Sequence, residues 1–132
     1  MPNSYIKNLK PTKCNICGGQ VKLIYIGKGE KCESGYIYKC MECGARISTF
    51  PKDHDIAMGT LANKETSAMR IKVHKLLDTF WKNNKERKEC YQKLAVELGI
   101  EESECHIGFM DMETLLKAEQ ILLKWWRNKY DR

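Results

Sequence analysis

Cys14-Asn15-Ile16-Cys17-Gly18-Gly19 and, further along, Cys40-Met41-Glu42-Cys43-Gly44 are the two stretches that decide how this chain folds. Two Cys-x-x-Cys elements, each followed at once by glycine, are the pattern of paired knuckles that share one four-thiolate zinc site. A two-residue gap lets both sulfurs of a knuckle reach a single ion about 2.3 Å away, while N–H groups of the turn hydrogen-bond the thiolates. The glycine beyond each second cysteine supplies the positive φ with which the turn leaves the metal. A site of this kind is closed, so it builds structure and leaves no open position for catalysis. A redox Cys-x-x-Cys is the rival for one pair alone, but it leaves the matching second pair unexplained. Two disulfides are the other rival.

Seven cysteines in a chain of 132 residues, with no apolar signal stretch after Met1, fit a reducing compartment and metal ligation better than disulfides. Cys32, Cys90 and Cys105 fall outside the knuckles. Cys90 lies on the apolar face of an expected helix and reads as a small buried hydrophobe; Cys32 is a spare-ligand candidate. There is no apolar run long enough to span a bilayer. The expected location is therefore the cytoplasm, with no membrane partner.

Working outward from the knuckles, Gln20 to Ile26, Gly35 to Cys40 and Arg46 to Phe50 are β-branched and aromatic runs bounded by turn residues. They predict three short antiparallel strands with zinc at one end, a zinc ribbon. Beyond Pro51 the pattern changes from a period of two to a helical one. Met69, Val73, Leu76, Leu77 and Phe80 give a stripe on a first helix over about 64–83. Cys90, Tyr91, Leu94, Ala95 and Leu98 give one on a second, over about 86–98, with Gly99 as its stop. A third helix follows the N-cap Asp111 and runs to about 128, carrying Leu115, Leu116, Leu122, Leu123, Trp125 and Trp126. The expected fold class is α+β: a ribbon with an N-terminal arm over 1–52, a linker over 53–63, and a three-helix unit over 64–132.

The formal net charge is +6, from 23 Lys and Arg against 17 Asp and Glu. That excess permits an acidic partner without requiring one. Position says more than the total. Lys64, Arg70, Lys72, Lys75, Lys82, Lys85, Arg87 and Lys88 face only Glu65, Asp78 and Glu86 within the same stretch. Lys64, Arg70, Lys72, Lys75, Lys85, Arg87 and Lys88 are thus the candidates for phosphate contact. In the ribbon, Tyr25, Tyr36 and Tyr38 alternate with Lys22, Lys28, Lys31 and Lys39, a mixture that suits nucleic acid or simply a half-buried sheet face.

Other constellations carry less. Leu94 to Ile100 resembles the first half of a helix-turn-helix, but about a dozen residues then intervene where such a motif allows three or four. Gly27-Lys28-Gly29-Glu30 lacks the full phosphate-loop pattern. His54 sits among Lys52, Asp53 and Asp55 and reads as exposed loop; His74 reads as a half-buried residue beside an apolar stripe. Cys105 and His106 are adjacent and do not converge on one atom as a nucleophile pair. No residue pattern argues for an enzyme, and no catalytic residue is assigned. Trp125 and Trp126, near a cationic tail, are expected to pack on the ribbon rather than stack on bases.

The knuckles, together with Tyr38-Lys39-Cys40, Gly59-Thr60-Leu61-Ala62-Asn63, His74 to Trp81 and Cys105 to Asp111, resemble a family of small zinc-finger-containing proteins of bacteriophages and prophages. The resemblance spans the chain from Cys14 to about Ile121. It implies an N-terminal zinc-binding part, a helical C-terminal part, a phage or mobile-element origin and residence in a bacterial host cell. It also sets His74, Asp78, Trp81, His106 and Asp111 in shared blocks, from which one common polar feature is expected.

The sequence thus points to a small non-enzymatic zinc-ribbon protein that binds nucleic acid or a nucleic-acid-processing protein. It would hold one structural zinc on Cys14, Cys17, Cys40 and Cys43. The alternative is an inhibitor or adaptor acting on a host defence protein, anchored by Ile56–Met58 or by the tryptophan pair. A third reading is an enzyme built on His74, Asp78, His106 and Asp111.

Overall fold

The computed structural model of the chain describes residues 5–130. They form three strands, β1 (Val21–Tyr25), β2 (Tyr36–Cys40) and β3 (Arg46–Ser48), followed by the helices α1 (Lys64–Asp78), α2 (Asn84–Leu98) and α3 (Met112–Tyr130). The fold is α+β, with the strands and helices in the order the periodicity predicts. Its contacts divide the described residues into two units, one over Ile6–Glu65 and the other over 66–130 with Tyr5.

In the first unit the sheet is antiparallel in the order β1-β2-β3. Leu23 pairs with Tyr38 and Val21 with Cys40, while Tyr38 also pairs with Ile47. Paired residues share a face, so one side of the sheet carries Val21, Tyr38, Cys40 and Ile47. These gather with Leu9, Cys14, Ala45, Ala57 and Leu61 into the ribbon's apolar cluster. The small core is what a unit of this size can bury, and a metal clip is the usual supplement.

Residues 53–63 do not form the linker that their composition predicts. Ala57 bridges Thr49, Ala62 bridges Arg46, and Leu61 is 1% exposed. The cause lies in the first knuckle. Asn15 Nδ2 donates to the Leu61 carbonyl at 3.0 Å, and the Leu61 N–H donates to Asn15 Oδ1 at 2.9 Å. One side-chain amide therefore satisfies both backbone groups of a buried residue. The segment before the knuckle is held similarly: the Ala57 N–H donates to the Leu9 carbonyl, and Lys10 pairs with Asp55 at 3.1 Å.

The second unit is built on a cluster that includes Val73, Leu77, Leu94, Ala95, Ile107, Met110, Leu115, Ala118, Leu122 and Trp125. The three stripes supply it as the helical period predicts. The first helix is shorter than expected. It ends at Asp78, and Thr79 turns back to donate its hydroxyl to the Leu76 carbonyl. Asn83 then caps α2 by accepting from the Glu86 N–H, while the Glu86 carboxylate reaches one residue further back and accepts from the Lys82 N–H. Gly99 ends α2 with φ 72°. Asp111 caps α3 by accepting from the Thr114 N–H at 2.9 Å. Between α2 and α3 the chain makes two single 3₁₀ turns, Glu102–Glu104 and Ile107–Phe109, and the second buries Ile107 and Phe109 in place of a loose loop.

Trp125 belongs to this helical cluster, not to the ribbon. Its ring meets Phe80 edge-on at 5.7 Å, Lys93 lies over it at 4.5 Å, and its indole N–H donates to Glu97. Helical spacing rotates Trp126 away from it, to 45% exposure.

Candidate metal centre

The first knuckle and the β2–β3 turn bring Cys14, Cys17, Cys40 and Cys43 together, with all four sulfurs within 4.8 Å of one another. Cys14 Sγ lies 3.7 Å from Cys43 Sγ, and Cys17 Sγ lies 3.4 Å from Cys40 Sγ. Thiolates about 2.3 Å from a tetrahedral zinc are separated by about 3.8 Å, and these two separations lie close to that edge. Backbone donors complete the knuckles. The Ile16 N–H donates to Cys14 Sγ, the Gly19 N–H to Cys17 Sγ, and those of Glu42 and Cys43 to Cys40 Sγ. Such donors disperse the charge of the thiolates and fix their direction.

The glycines behave as the pattern requires. Gly18 and Gly44, each next after a second ligand, have φ of 79° and 81°. Gly19 serves differently: a Cβ there would stand 2.9 Å from Cys40 Sγ and crowd the Glu42 carboxylate. Close approach, not left-handed backbone, requires glycine at this position.

Cys40 carries the strongest acidifying environment. The Cys43 N–H, opposed by burial and helped by the Glu42 N–H, holds its thiol down to about 6 against an ordinary 9.0. Zinc binding to cysteines displaces thiol protons, so protons should be released on binding and affinity should fall as the pH is lowered. Titration calorimetry in two buffers of different ionisation enthalpy measures the release.

Cys32 is not a fifth ligand. It is buried away from the cluster, 3.6 Å from the Ser34 hydroxyl, and donates to the Tyr36 carbonyl. Cys90 points at the Phe80 carbonyl, and Cys105 is 2% exposed in the helical core, where burial pushes its thiol up to about 11. Both act as packing groups.

The expected shared polar feature is present in part: desolvation lowers the pKa of both the His74 and the His106 imidazole, the Arg87 charge acts on both in the same direction, and Asp78 opposes it at His74. Asp78 accepts from the Trp81 indole at 3.1 Å, Asp111 caps α3, and His106 stacks on Tyr5 with ring centres 3.9 Å apart. His74 is exposed on α1, one turn before Asp78. Among the described residues, none of these joins a group of three or more metal-binding side chains. His54 is exposed as expected, but its ring also stacks on Tyr36 at 4.5 Å.

Of the seven candidate cations, Lys64, Lys75, Lys85 and Lys88 are exposed on α1 and α2. Arg87 is exposed too, with its guanidinium 4.9 Å from the Tyr91 ring centre and 5.7 Å from that of Trp81. Lys72 pairs at 2.6 Å with Glu119, a residue only 8% exposed. Arg70 does not fit the role that its sequence position gave it. It is 7% exposed, and its Nε and Nη2 groups donate to the Met110 carbonyl at 3.2 and 3.0 Å. A charge on the inner face of α1 anchors the segment before α3 and is shielded from phosphate.

A family model for a zinc-finger-containing domain matches residues 10–124. This chain belongs to that family. The zinc-finger-containing domain thus takes in both the ribbon and most of the helical unit, and its zinc-finger character agrees with the four-cysteine cluster and one structural zinc ion. Comparison with curated proteins gives no match, and comparison with solved structures gives none. Among the described residues no helix is long and apolar enough to cross a membrane.

Proposed function

We propose that this zinc-finger-containing domain is a non-enzymatic binding protein that engages nucleic acid, or a protein that processes it, in the bacterial cytoplasm during phage infection. The zinc would serve as scaffold, because four thiolates fill its coordination sphere. The observation that carries the reading is the set of exposed cations on α1 and α2, Lys64, Lys75, Lys85 and Lys88, in a chain of net charge +6. Exposed lysines attract phosphates without reading bases. Phage origin rests on the family resemblance of the sequence blocks.

Salt dependence tests the proposal. Affinity for a labelled oligonucleotide should fall steeply with salt, with a log–log slope of roughly −0.7 to −0.9 per phosphate neutralised. Paired Lys75→Glu and Lys88→Glu changes should weaken binding while leaving zinc content and helicity unchanged. Lys72 is unsuitable for this test, because a glutamate there would face Glu119 and destabilise the helical unit. No binding at micromolar protein would favour a protein partner instead. Met58 and Trp126 are the exposed anchors for one, since Ala57 and Trp125 are buried.

A further inference from the structure

The register of the sheet sets three cations side by side. Lys22 on β1 pairs with Lys39 on β2, and Lys39 pairs with Arg46 on β3. Paired residues point to the same face, so these three side chains form one row across the sheet, on the side opposite the apolar cluster. Lys22 and Arg46 are exposed and Lys39 is half-buried. No carboxylate among the described residues forms an ion pair with any of them. The next row on this face is Ile24, Ile37 and Ser48, which offers no countercharge.

Like charges directly opposite one another in a sheet are destabilising. Here two such pairs are adjacent, and the register allows no escape. The metal knuckle is itself the β2–β3 turn: the Cys40 N–H donates to the Ala45 carbonyl at 2.8 Å and the Gly44 N–H to the Cys40 carbonyl at 3.1 Å. Lys39 and Arg46 directly flank that turn, so zinc binding holds their backbones opposite each other. An anion on this face would relieve the repulsion. Strand spacing puts the row at about 5 Å intervals over about 10 Å. One strand of nucleic acid carries a phosphate per about 3.4 Å of duplex axis, so a row about 10 Å long spans about three phosphate steps.

We propose that the Lys22–Lys39–Arg46 row is a phosphodiester-binding face of the ribbon, which contacts one nucleic-acid strand through its backbone. This rests on the nucleic-acid reading above and locates a contact surface outside the helical unit. The aromatic series Tyr25, Tyr36 and His54 lies at the end of the opposite face, so the row reads charge and leaves the bases unread.

The test compares the zinc-loaded wild type, a Lys22→Gln/Lys39→Gln/Arg46→Gln variant and the Lys75→Glu/Lys88→Glu variant. Each is titrated by fluorescence anisotropy with a labelled single strand, its duplex, and phosphatidylserine vesicles, between about 50 and 200 mM salt. The ribbon variant should keep its zinc, show a Tm no lower than wild type because repulsion is removed, and lose about 2–3 from the magnitude of the salt slope. Wild-type slope and affinity in that variant overturn the row, and a loss confined to the helix variant does so while preserving the nucleic-acid reading. A wild type that binds neither oligonucleotide overturns both. Preference for vesicles, lost on substitution of the row, overturns the nucleic-acid occupant. Should the triple variant lose zinc, Lys22→Gln and Arg46→Gln singly should each reduce the slope by about 1, and no change in either overturns the proposal.

Discussion

Cys43→Ser should abolish stoichiometric zinc binding and unfold the ribbon while leaving the helical unit folded. A structural zinc on cysteine ligands supplies roughly 10–16 kcal/mol of apparent binding energy at neutral pH. That is as large as the whole stability of an ordinary domain, about 5–15 kcal/mol. The ribbon's own cluster of Val21, Tyr38, Ala45, Ala57, Leu61 and their neighbours is too small to compensate, since two of its members, Cys14 and Cys40, are themselves ligands. The helical unit has a separate buried cluster with no metal ligand in it. In a heteronuclear NMR spectrum the amide signals of 6–65 should therefore collapse to narrow dispersion while helical circular dichroism persists. Cys32→Ser should keep its zinc, because that sulfur donates to the Tyr36 carbonyl and stands outside the cluster. Full zinc content in Cys43→Ser would falsify the ligand assignment.

Arg70→Ala is expected to be the most damaging charge removal in the helical unit. Burial pulls the guanidinium down to about 10, with the Asp111 charge opposing, so it remains protonated at neutral pH. It donates twice to the carbonyl of Met110, a residue 1% exposed. Truncation leaves that carbonyl without these donors and opens a void beside α1. An unsatisfied buried acceptor costs about 1–3 kcal/mol, and incomplete collapse around the missing side chain adds to it. A total of about 3 kcal/mol corresponds to a fall in Tm of roughly 12–24 °C for a unit of this size. Arg70→Lys should rescue only part of the loss, because an ammonium cannot reproduce the planar fork. Thermal unfolding measures the effect, and the salt slope for nucleic acid should not change. An unaltered Tm with weakened oligonucleotide binding would return Arg70 to the phosphate surface.

The contrast between these residues shows what the sequence carries. The knuckles are local: two cysteines, a two-residue gap and a glycine specify a turn whose geometry does not depend on the rest of the chain. The stripes through Val73, Leu77, Leu94 and Leu122 are nearly as local, since helical period alone selects their buried face. Arg70 was opaque because its partner is a backbone carbonyl in a segment 40 residues away. Lys72 hid its partner Glu119 for the same reason. The segment 53–63 resembled a linker because its order comes from Asn15, whose amide reaches Leu61 across 46 residues. The cation row was the nearest miss. Lys22, Lys39 and Arg46 are plain in the sequence, and a register assigned outward from Cys40 would have aligned them.

The Asn15 clamp also ties metal content to the chemical lifetime of the chain. Asn15 sits between two ligands, so a knuckle that loses its ion also loses the amide that holds Leu61. Ala57, Leu61 and Ala62, now 1–2% exposed, would become accessible together. Segments without such protection are where endoproteases cut first. A single cleavage there would part the segment that carries the four zinc ligands from the helical unit. Zinc loading would then set how long the chain stays in one piece.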